Sequence, residues 1–279
     1  MGFFRYPGGK RKLSKLILPK IKSAFENDSN LVEYREPFFG GGSIGLEVLN
    51  FNVKSFWFND YDYGIHCLWH SVINYPDELK TLVLEFKPSV ALFYKIKEEL
   101  SNNNLSSLSE KDKILFGFYK LAIHQISYSG LGVKSGGPLG GKKQKSKYNI
   151  SCRWSPQYIS KKIDFYNKSF NINNIKNFTC SCFDFSNLII DNNSNSFLYL
   201  DPPYFVKGNE LYQFSFSTED HLRLRNFLSQ TKHKWLLSYD LCDEVINLYK
   251  NISNIERVSG VNYSINTSRK KFELLISNY

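Results

Sequence analysis

An apolar run at residues 197–200 ends on Asp201-Pro202-Pro203-Tyr204, and this junction limits the fold more than any other segment of the chain. Two consecutive prolines fix two φ angles and remove two N–H donors, so a central strand must stop there in a rigid turn. Rigidity of that kind suits a site at a strand end. A carboxylate and the Pro202 carbonyl can together accept both hydrogens of an exocyclic amino group, and Tyr204 offers a ring on which a planar base stacks. The lone pair of an aromatic amine is delocalised into its ring, which makes the amine a poor nucleophile. Two acceptors would draw the nitrogen toward tetrahedral geometry and free the lone pair for attack. The competing reading is an ordinary β-turn with proline at its first corner.

A second junction lies near the N-terminus. Residues 31–36 read as a short strand that runs into Pro37-Phe38-Phe39-Gly40-Gly41-Gly42-Ser43, and an apolar-periodic helix follows through Ile44, Leu46, Val48 and Leu49. Glycines in this arrangement let the backbone pass close to a nucleotide-like ligand at the mouth of a parallel sheet. Asp60 follows Gly40 by 20 residues, at the end of a second strand at 53–59, where such sheets place an acid for ribose hydroxyls. Taken alone, three glycines read more simply as a structural turn. The loop is not G-x-G-x-x-G, and Gly8-Gly9-Lys10 lacks the upstream glycine and following Ser/Thr of a phosphate loop, which weakens kinase and ATPase readings.

Further strand signals fall at 178–182, 234–238, 255–261 and 272–277, with helical patterns at about 155–168 and 219–231. Residues 66–126 are mainly helical in pattern, broken at 101–109 where Asn and Ser cluster. Six of the thirteen residues from 129 to 141 are glycine, which predicts an irregular loop or hairpin. The order predicts an open α/β sheet with a helical excursion inserted after the second strand.

Charge is segregated along this order. Of 36 Lys/Arg, seven lie in residues 1–25 and ten between Asp112 and Asp164, with no Asp or Glu inside either span. The rest of the chain is acidic on balance although the whole is +10. A field of one sign confined to two segments suits a polyanion, whose counterions are released as Lys and Arg replace them. Solvated surface lysines are the plainer alternative. No apolar stretch is long enough to span a bilayer, and the basic first 25 residues lack a secretory apolar core. Five cysteines (Cys67, Cys152, Cys180, Cys182 and Cys242) without paired C-x-x-C spacing indicate a reducing compartment and no zinc site. None sits in a Pro-Cys context, and transfer to an amine needs no thiol nucleophile. His66 and His70 have the i, i+4 spacing of metal ligands but read as packing residues, with no nearby acid or third His.

Glu36-Pro37-Phe38-Phe39-Gly40-Gly41-Gly42-Ser43 followed by Asp201-Pro202-Pro203-Tyr204 resembles the motif pair of S-adenosylmethionine-dependent DNA adenine-N6 methyltransferases. Tyr6-Pro7-Gly8-Gly9-Lys10 is similar to the opening motif of their Dam-type (alpha-class) branch, in which the cofactor motif precedes the target-recognition region and the catalytic motif comes last. The resemblance extends to Asp60, to Cys182-Phe183-Asp184-Phe185, to Leu237-Ser238-Tyr239 and to residues 269–279. It is weak over about 66–170, where the Arg/Asn-rich signature of GATC-reading hairpins is not evident.

The resemblance implies a Rossmann-like class I methyltransferase sheet, mostly parallel with one antiparallel strand near the C-terminus. Residues 1–65 and 171–279 would form the catalytic domain, and 66–170 an inserted, mainly helical target-recognition domain. Asp201 and Pro202 would hold the target amine, Pro203 would complete the turn, and Tyr204 would stack on a flipped adenine. Phe38, Gly40, Gly41, Gly42 and Ser43 would line the methionine end of S-adenosylmethionine, with Asp201 also reaching it. Asp60 would serve the ribose and Asp184 the cofactor's adenine amino group. Lys10, with Tyr6 and Gly9, is expected where cofactor and target base meet. Lys134, Lys142, Lys143, Lys145, Lys147 and Arg153 are expected to contact DNA.

The implied reaction is site-specific methylation of adenine N6 in duplex DNA by base flipping. No metal or membrane is expected. A cognate restriction endonuclease fits as partner, the chain is expected to be a monomer or weak dimer, and its place is the cytoplasm of a bacterial or phage-infected cell. Cytosine-N4, RNA-amine and protein-glutamine methyltransferases share the tetrapeptide type, and an inactive DNA-binding homologue is a further alternative. The Lys-rich insert favours nucleic acid over protein, and the Tyr-Pro-Gly-Gly-Lys opening favours adenine.

Overall fold

The computed structural model describes residues 3–6, 8–51, 53–101, 108–172, 177–205, 214–259 and 272–279. The expectations that involve Pro7, 102–107, 260, 261 and 269–271 lie outside the described residues. Two compact units are present, the first holding Lys10–Tyr61 and Asn174–Tyr279, the second Gly2–Gly9 and Asp62–Asn173.

The first unit is built on one sheet of seven strands among the described residues. These are β1 (Glu33–Glu36), β2 (Ser55–Asn59), β3 (Asn177–Ser181), β4 (Ser196–Leu200), β5 (Lys234–Asp240), β6 (Asn254–Ser259) and β7 (Phe272–Ser277), in the order β3-β2-β1-β4-β5-β7-β6. β1 to β5 are parallel, and β7 runs antiparallel to both β5 and β6. The Rossmann-like α/β sheet with one reversed strand near the C-terminus is therefore observed. All of β4 is buried, as expected for a continuous apolar run in a parallel sheet covered on both faces.

β1 and β4 are neighbours, with Tyr34 opposite Phe197 and Arg35 opposite Leu198. The chain turns outward to β2 from one and to β5 from the other. Their carboxyl ends form the switch point at which open α/β sheets bind ligands, and both sequence junctions emerge there.

One face of the sheet is closed by helices α8 (Phe185–Ile190) and α9 (Thr218–Gln230), whose Phe185, Leu224 and Leu228 pack with Leu198, Leu200, Trp235, Leu237, Leu274 and Ile276. Helix α9 starts in a capping box, Ser217 and Asp220 each accepting from the other's backbone N–H. The helix expected after the glycine loop is a single turn, α2 (Gly45–Val48), because its apolar pattern runs out at Asn50. Two helices absent from the sequence reading complete the unit: α1 (Ser14–Asn27) and α10 (Asp243–Tyr249).

The second unit is helical: α3 (Tyr63–Asn74), α4 (Pro76–Glu85), α5 (Val90–Ser101), α6 (Glu110–Ile126) and α7 (Pro156–Ile172). Asp62 caps α3 by accepting from the N–H groups of Gly64 and Ile65, and Ser109 caps α6. Gly117 permits α6 to close on α3, since a Cβ there would lie 2.6 Å from the Leu68 nitrogen. Residues 2–9 differ from the expected partition: Phe3 is buried with its ring against Trp69 and Tyr166, so the N-terminal segment packs with this unit. The glycine-rich stretch holds two 3-10 turns, Tyr128–Gly130 and Gly132–Lys134, and an isolated antiparallel bridge from Ser127 to Pro138. Among the described residues no helix is long and apolar enough to cross a membrane.

Candidate active site

The glycine loop folds back at the end of β1. Gly40 and Gly42 have φ of +50° and +68°, which favours glycine, and a Cβ on Gly42 would lie 2.8 Å from the Leu46 side chain. Asp60 is part of this loop's geometry, its Oδ2 accepting from the Gly40 N–H at 2.7 Å. Gly41 is buried and Ser43 half-buried beside them.

Asn59, which the sequence reading passed over, ties three strand ends together. Its Oδ1 accepts from the Phe183 N–H (2.7 Å) and the Ser181 hydroxyl (2.8 Å), and its Nδ2 donates to the carbonyls of Pro37 and Phe183. Glu36 is buried beneath the loop and accepts from the Tyr34 hydroxyl at 2.7 Å. Burial pushes its carboxyl well above the usual range.

Asp184 caps α8, its Oδ1 accepting from the Ser186 N–H at 3.0 Å and from Arg223 at 3.1 Å. The Phe38 ring packs with Phe185 and Phe216. Tyr61 and Phe183, next to Asp60 and Asp184 at the ends of the paired strands β2 and β3, expose 58% and 51% of their surface. Large rings held this open beside hydrogen-bonding acids are suited to a planar ligand.

The densest chemistry surrounds Asp201. Its Oδ1 accepts from Lys10 Nζ at 2.6 Å and from the Ser238 hydroxyl at 3.1 Å, while none of the described residues donates to Oδ2. Burial raises the Asp201 pKa, and Lys10 and Ser238 offset only part of that rise. Lys10 is 1% exposed. Burial works against its charge, but Asp201, Tyr204 and Glu273 outweigh it and hold the ammonium well above the ordinary lysine value.

The Tyr204 hydroxyl accepts from Lys10 at 2.8 Å and donates to Glu273 at 3.1 Å. Lys10 Nζ also lies 4.5 Å from the centre of the Tyr204 ring. Pro202 is buried, and Pro203 and Tyr204 are half-buried. Ser238 and Glu273 were not singled out individually by sequence. A charged residue inside the apolar strand Phe272-Glu273-Leu274-Leu275-Ile276 is the signal that would have found the second.

Phe38, Gly40, Gly41, Gly42, Ser43 and Asp60 thus share one loop region, and Lys10, Asp201 and Tyr204 share one cluster. Tyr6 and Gly9 belong to the second unit, where the Tyr6 ring packs on Phe4 and His124. Lys134, Lys142, Lys143, Lys145, Lys147 and Arg153 also lie there and are exposed, Lys142 resting 5.4 Å from the Tyr94 ring centre. His70 does have an acid beside it, Glu110 at 2.8 Å. Among the described residues no group of three His, Cys, Asp or Glu is placed to hold a metal.

Comparison with known proteins gives these geometries a context. The sequence profile of the D12 class N6 adenine-specific DNA methyltransferases matches residues 6–262. The type II methyltransferase M1.LlaDCHI of Lactococcus lactis subsp. cremoris is 26% identical over 295 residues, covering 99% of this chain and 95% of that protein. The type II methyltransferase M.MjaIII of Methanocaldococcus jannaschii is 23% identical over 301 residues, with 99% and 98% covered. M.CviBI, a type II methyltransferase of Paramecium bursaria Chlorella virus NC1A, is 32% identical over 93 residues, 32% of this chain and 36% of that protein. Because the profile spans the glycine loop, the Asp-Pro-Pro-Tyr turn and the chain between them, this protein belongs to the D12 class N6 adenine-specific DNA methyltransferase family and is an adenine-N6 DNA methyltransferase.

Proposed function

We propose that the chain methylates the N6 amine of an adenine swung out of duplex DNA, with S-adenosylmethionine as donor and with Asp201, Pro202 and Tyr204 receiving the base. The observation that carries this is the half-used carboxylate of Asp201, with Oδ1 pinned by Lys10 and Ser238 and Oδ2 free of described donors. A pinned carboxylate is pre-oriented, so an amine hydrogen-bonded to Oδ2 is held without further ordering. The Pro202 carbonyl accepts the second amine hydrogen and Tyr204 stacks on the base. Extrusion from the duplex is required because an amine inside the stack cannot be approached in line.

The residues present fit the donor. S-adenosylmethionine supplies a methyl group made electrophilic by a sulfonium. Gly40 and Gly42 open the backbone for its methionine end, Phe38 flanks them, and Asp60 and Asp184 offer acceptors for ribose hydroxyls and an adenine amine. Among the described residues two carboxylates, Asp201 and Glu273, face the Lys10 ammonium, and that balance suits a cationic ligand. The exposed lysines of the second unit, with Arg153, supply phosphate contacts. The likeness to type II methyltransferases supports methylation of one short site, inside the cell and alongside an endonuclease that cuts the same site.

Incubation with duplex DNA and donor carrying a tritiated methyl, followed by digestion to nucleosides, is the test. Label in N6-methyladenine is expected. Label in N4-methylcytosine, or none in DNA, overturns the reading. Asp201→Ala should lose on the order of 10³-fold in turnover while keeping its circular dichroism and donor binding. Near-normal turnover would remove Asp201 from the role given to it.

A further inference from the structure

Glu273 is out of place by every packing criterion. It occupies the second position of β7, paired with Asp240 on β5 and Val258 on β6, and the four residues 273–276 are all buried. A carboxylate among leucines and isoleucine is unfavourable unless its charge is compensated. Burial does push its pKa up. The groups that compensate it are both members of the active-site cluster: the Tyr204 hydroxyl, which donates to Oε1 at 3.1 Å, and Lys10 Nζ, 3.7 Å from Oε2. Among the described residues Oε2 has no hydrogen-bond partner although it is buried.

We propose that Glu273 is a positioning residue for methyl transfer, acting through Lys10 and Tyr204 to keep Asp201 a strong acceptor for the amine. This rests on the role of Asp201 given above. An ammonium facing a single carboxylate at 2.6 Å withdraws much of that carboxylate's acceptor strength. A second carboxylate on the far side divides the ammonium's field and leaves more of that strength on Asp201. Glu273 also sets the direction of the Tyr204 hydroxyl, which accepts from Lys10 and donates to Glu273, and so holds the ring at one rotation about its bond. One buried charge on the reversed strand thereby serves both the acceptor of the amine and the ring that receives the base.

The test compares Glu273→Gln, which keeps volume and an acceptor for Tyr204 but removes the charge, with Glu273→Leu, which removes both. Steady-state methylation of duplex DNA and thermal melting are measured for each. The expected result for Glu273→Gln is a loss of about tenfold or more in kcat, with KM for S-adenosylmethionine within about twofold of wild type and an unlowered melting temperature. Glu273→Leu should lose more, and Glu273→Asp, which restores the charge on a shorter arm, should recover part of the loss. Wild-type kcat in Glu273→Gln and Glu273→Leu overturns the proposal, as does a loss matched by a rise in KM and a lower melting temperature. If Glu273→Gln does not fold, Glu273→Asp carries the same test, a kcat loss at unchanged KM supporting the proposal and wild-type kcat overturning it. Wild-type protein that methylates adenine alongside fully active Glu273 variants would refute this inference alone, whereas wild-type protein that methylates no adenine would refute the reading of the reaction.

Discussion

Tyr204 offers two groups that substitution can separate. Its ring is the stacking face proposed for the base, while its hydroxyl lies between Lys10 and Glu273. Tyr204→Ala removes both and should weaken capture of the extruded base by about 1–3 kcal/mol. Tyr204→Phe keeps the ring, and base capture followed by 2-aminopurine fluorescence should stay near wild type. It also removes a hydroxyl bonded to two charged groups, worth about 1.5–3 kcal/mol, so single-turnover methylation should still fall. If the Phe variant matches wild type in both measurements, the hydroxyl is a bystander. Residues of this kind divide by whether their chemistry is local. Asp201, the glycines and Asp60 stand out in the sequence as candidates because turn chemistry and spacing announce them. The partnership of Lys10 with Tyr204 spans 194 residues, and Asn59 and Ser238 reach their partners only after strands pair, so no local pattern encodes them.

At the scale of elements, β4 was legible because a buried parallel strand is a continuous apolar run between breakers, whereas β1, Glu33-Tyr34-Arg35-Glu36, is marked mainly by the Pro37 turn that ends it. The position of β7 between β5 and β6 was not legible, since periodicity carries no pairing order. Helix α1 escaped notice because its buried face is narrow, Ile17, Ile21 and Ala24, while Leu16 is an exposed apolar residue that blurs the period and Pro19 reads as a helix breaker. The glycine-rich stretch and the basic segment after it were read correctly as irregular and charged. Lys142, Lys143, Lys145 and Lys147 are all exposed, which binding to phosphates requires and which solvation alone also permits. Salt titration separates the two. Replacing all four with Ala should weaken DNA binding evenly across sequences and flatten the slope of log affinity against log salt by about 0.9 for each phosphate no longer neutralised. A sequence-dependent loss at unchanged slope would assign base reading to the segment, and no loss at all would leave the lysines as solvated surface.

For the molecule as a whole, acid pulls stability in two directions. Burial raises Glu36, Asp201 and Glu273, so these groups favour the fold when protonated and lose that contribution as pH rises through their folded pKa values. The buried His221 and His124 do the opposite. Burial lowers His221 to about 4, and burial reinforced by Lys120 lowers His124 to about 3. His124 is held neutral, with Nδ1 at 2.8 Å from the Gly130 carbonyl and Nε2 buried with no hydrogen-bond partner among the described residues, so protonation would strand a charge. Its contribution is present above the unfolded value of about 6.5 and is lost as pH falls toward the folded value of about 3. Comparing wild type with His124→Gln cancels the carboxylates, which both proteins share. At pH 7 wild type should be the more stable, since the ring fills its site and bonds Gly130. Below about 6.5 the unfolded wild-type chain gains a proton that the variant cannot, so the stability gap should close by up to about 1.4 kcal/mol per pH unit. Urea unfolding at pH 7, 6, 5 and 4 measures it. A gap that stays constant over that range would mean the ring accepts its proton in the folded state, contrary to its burial.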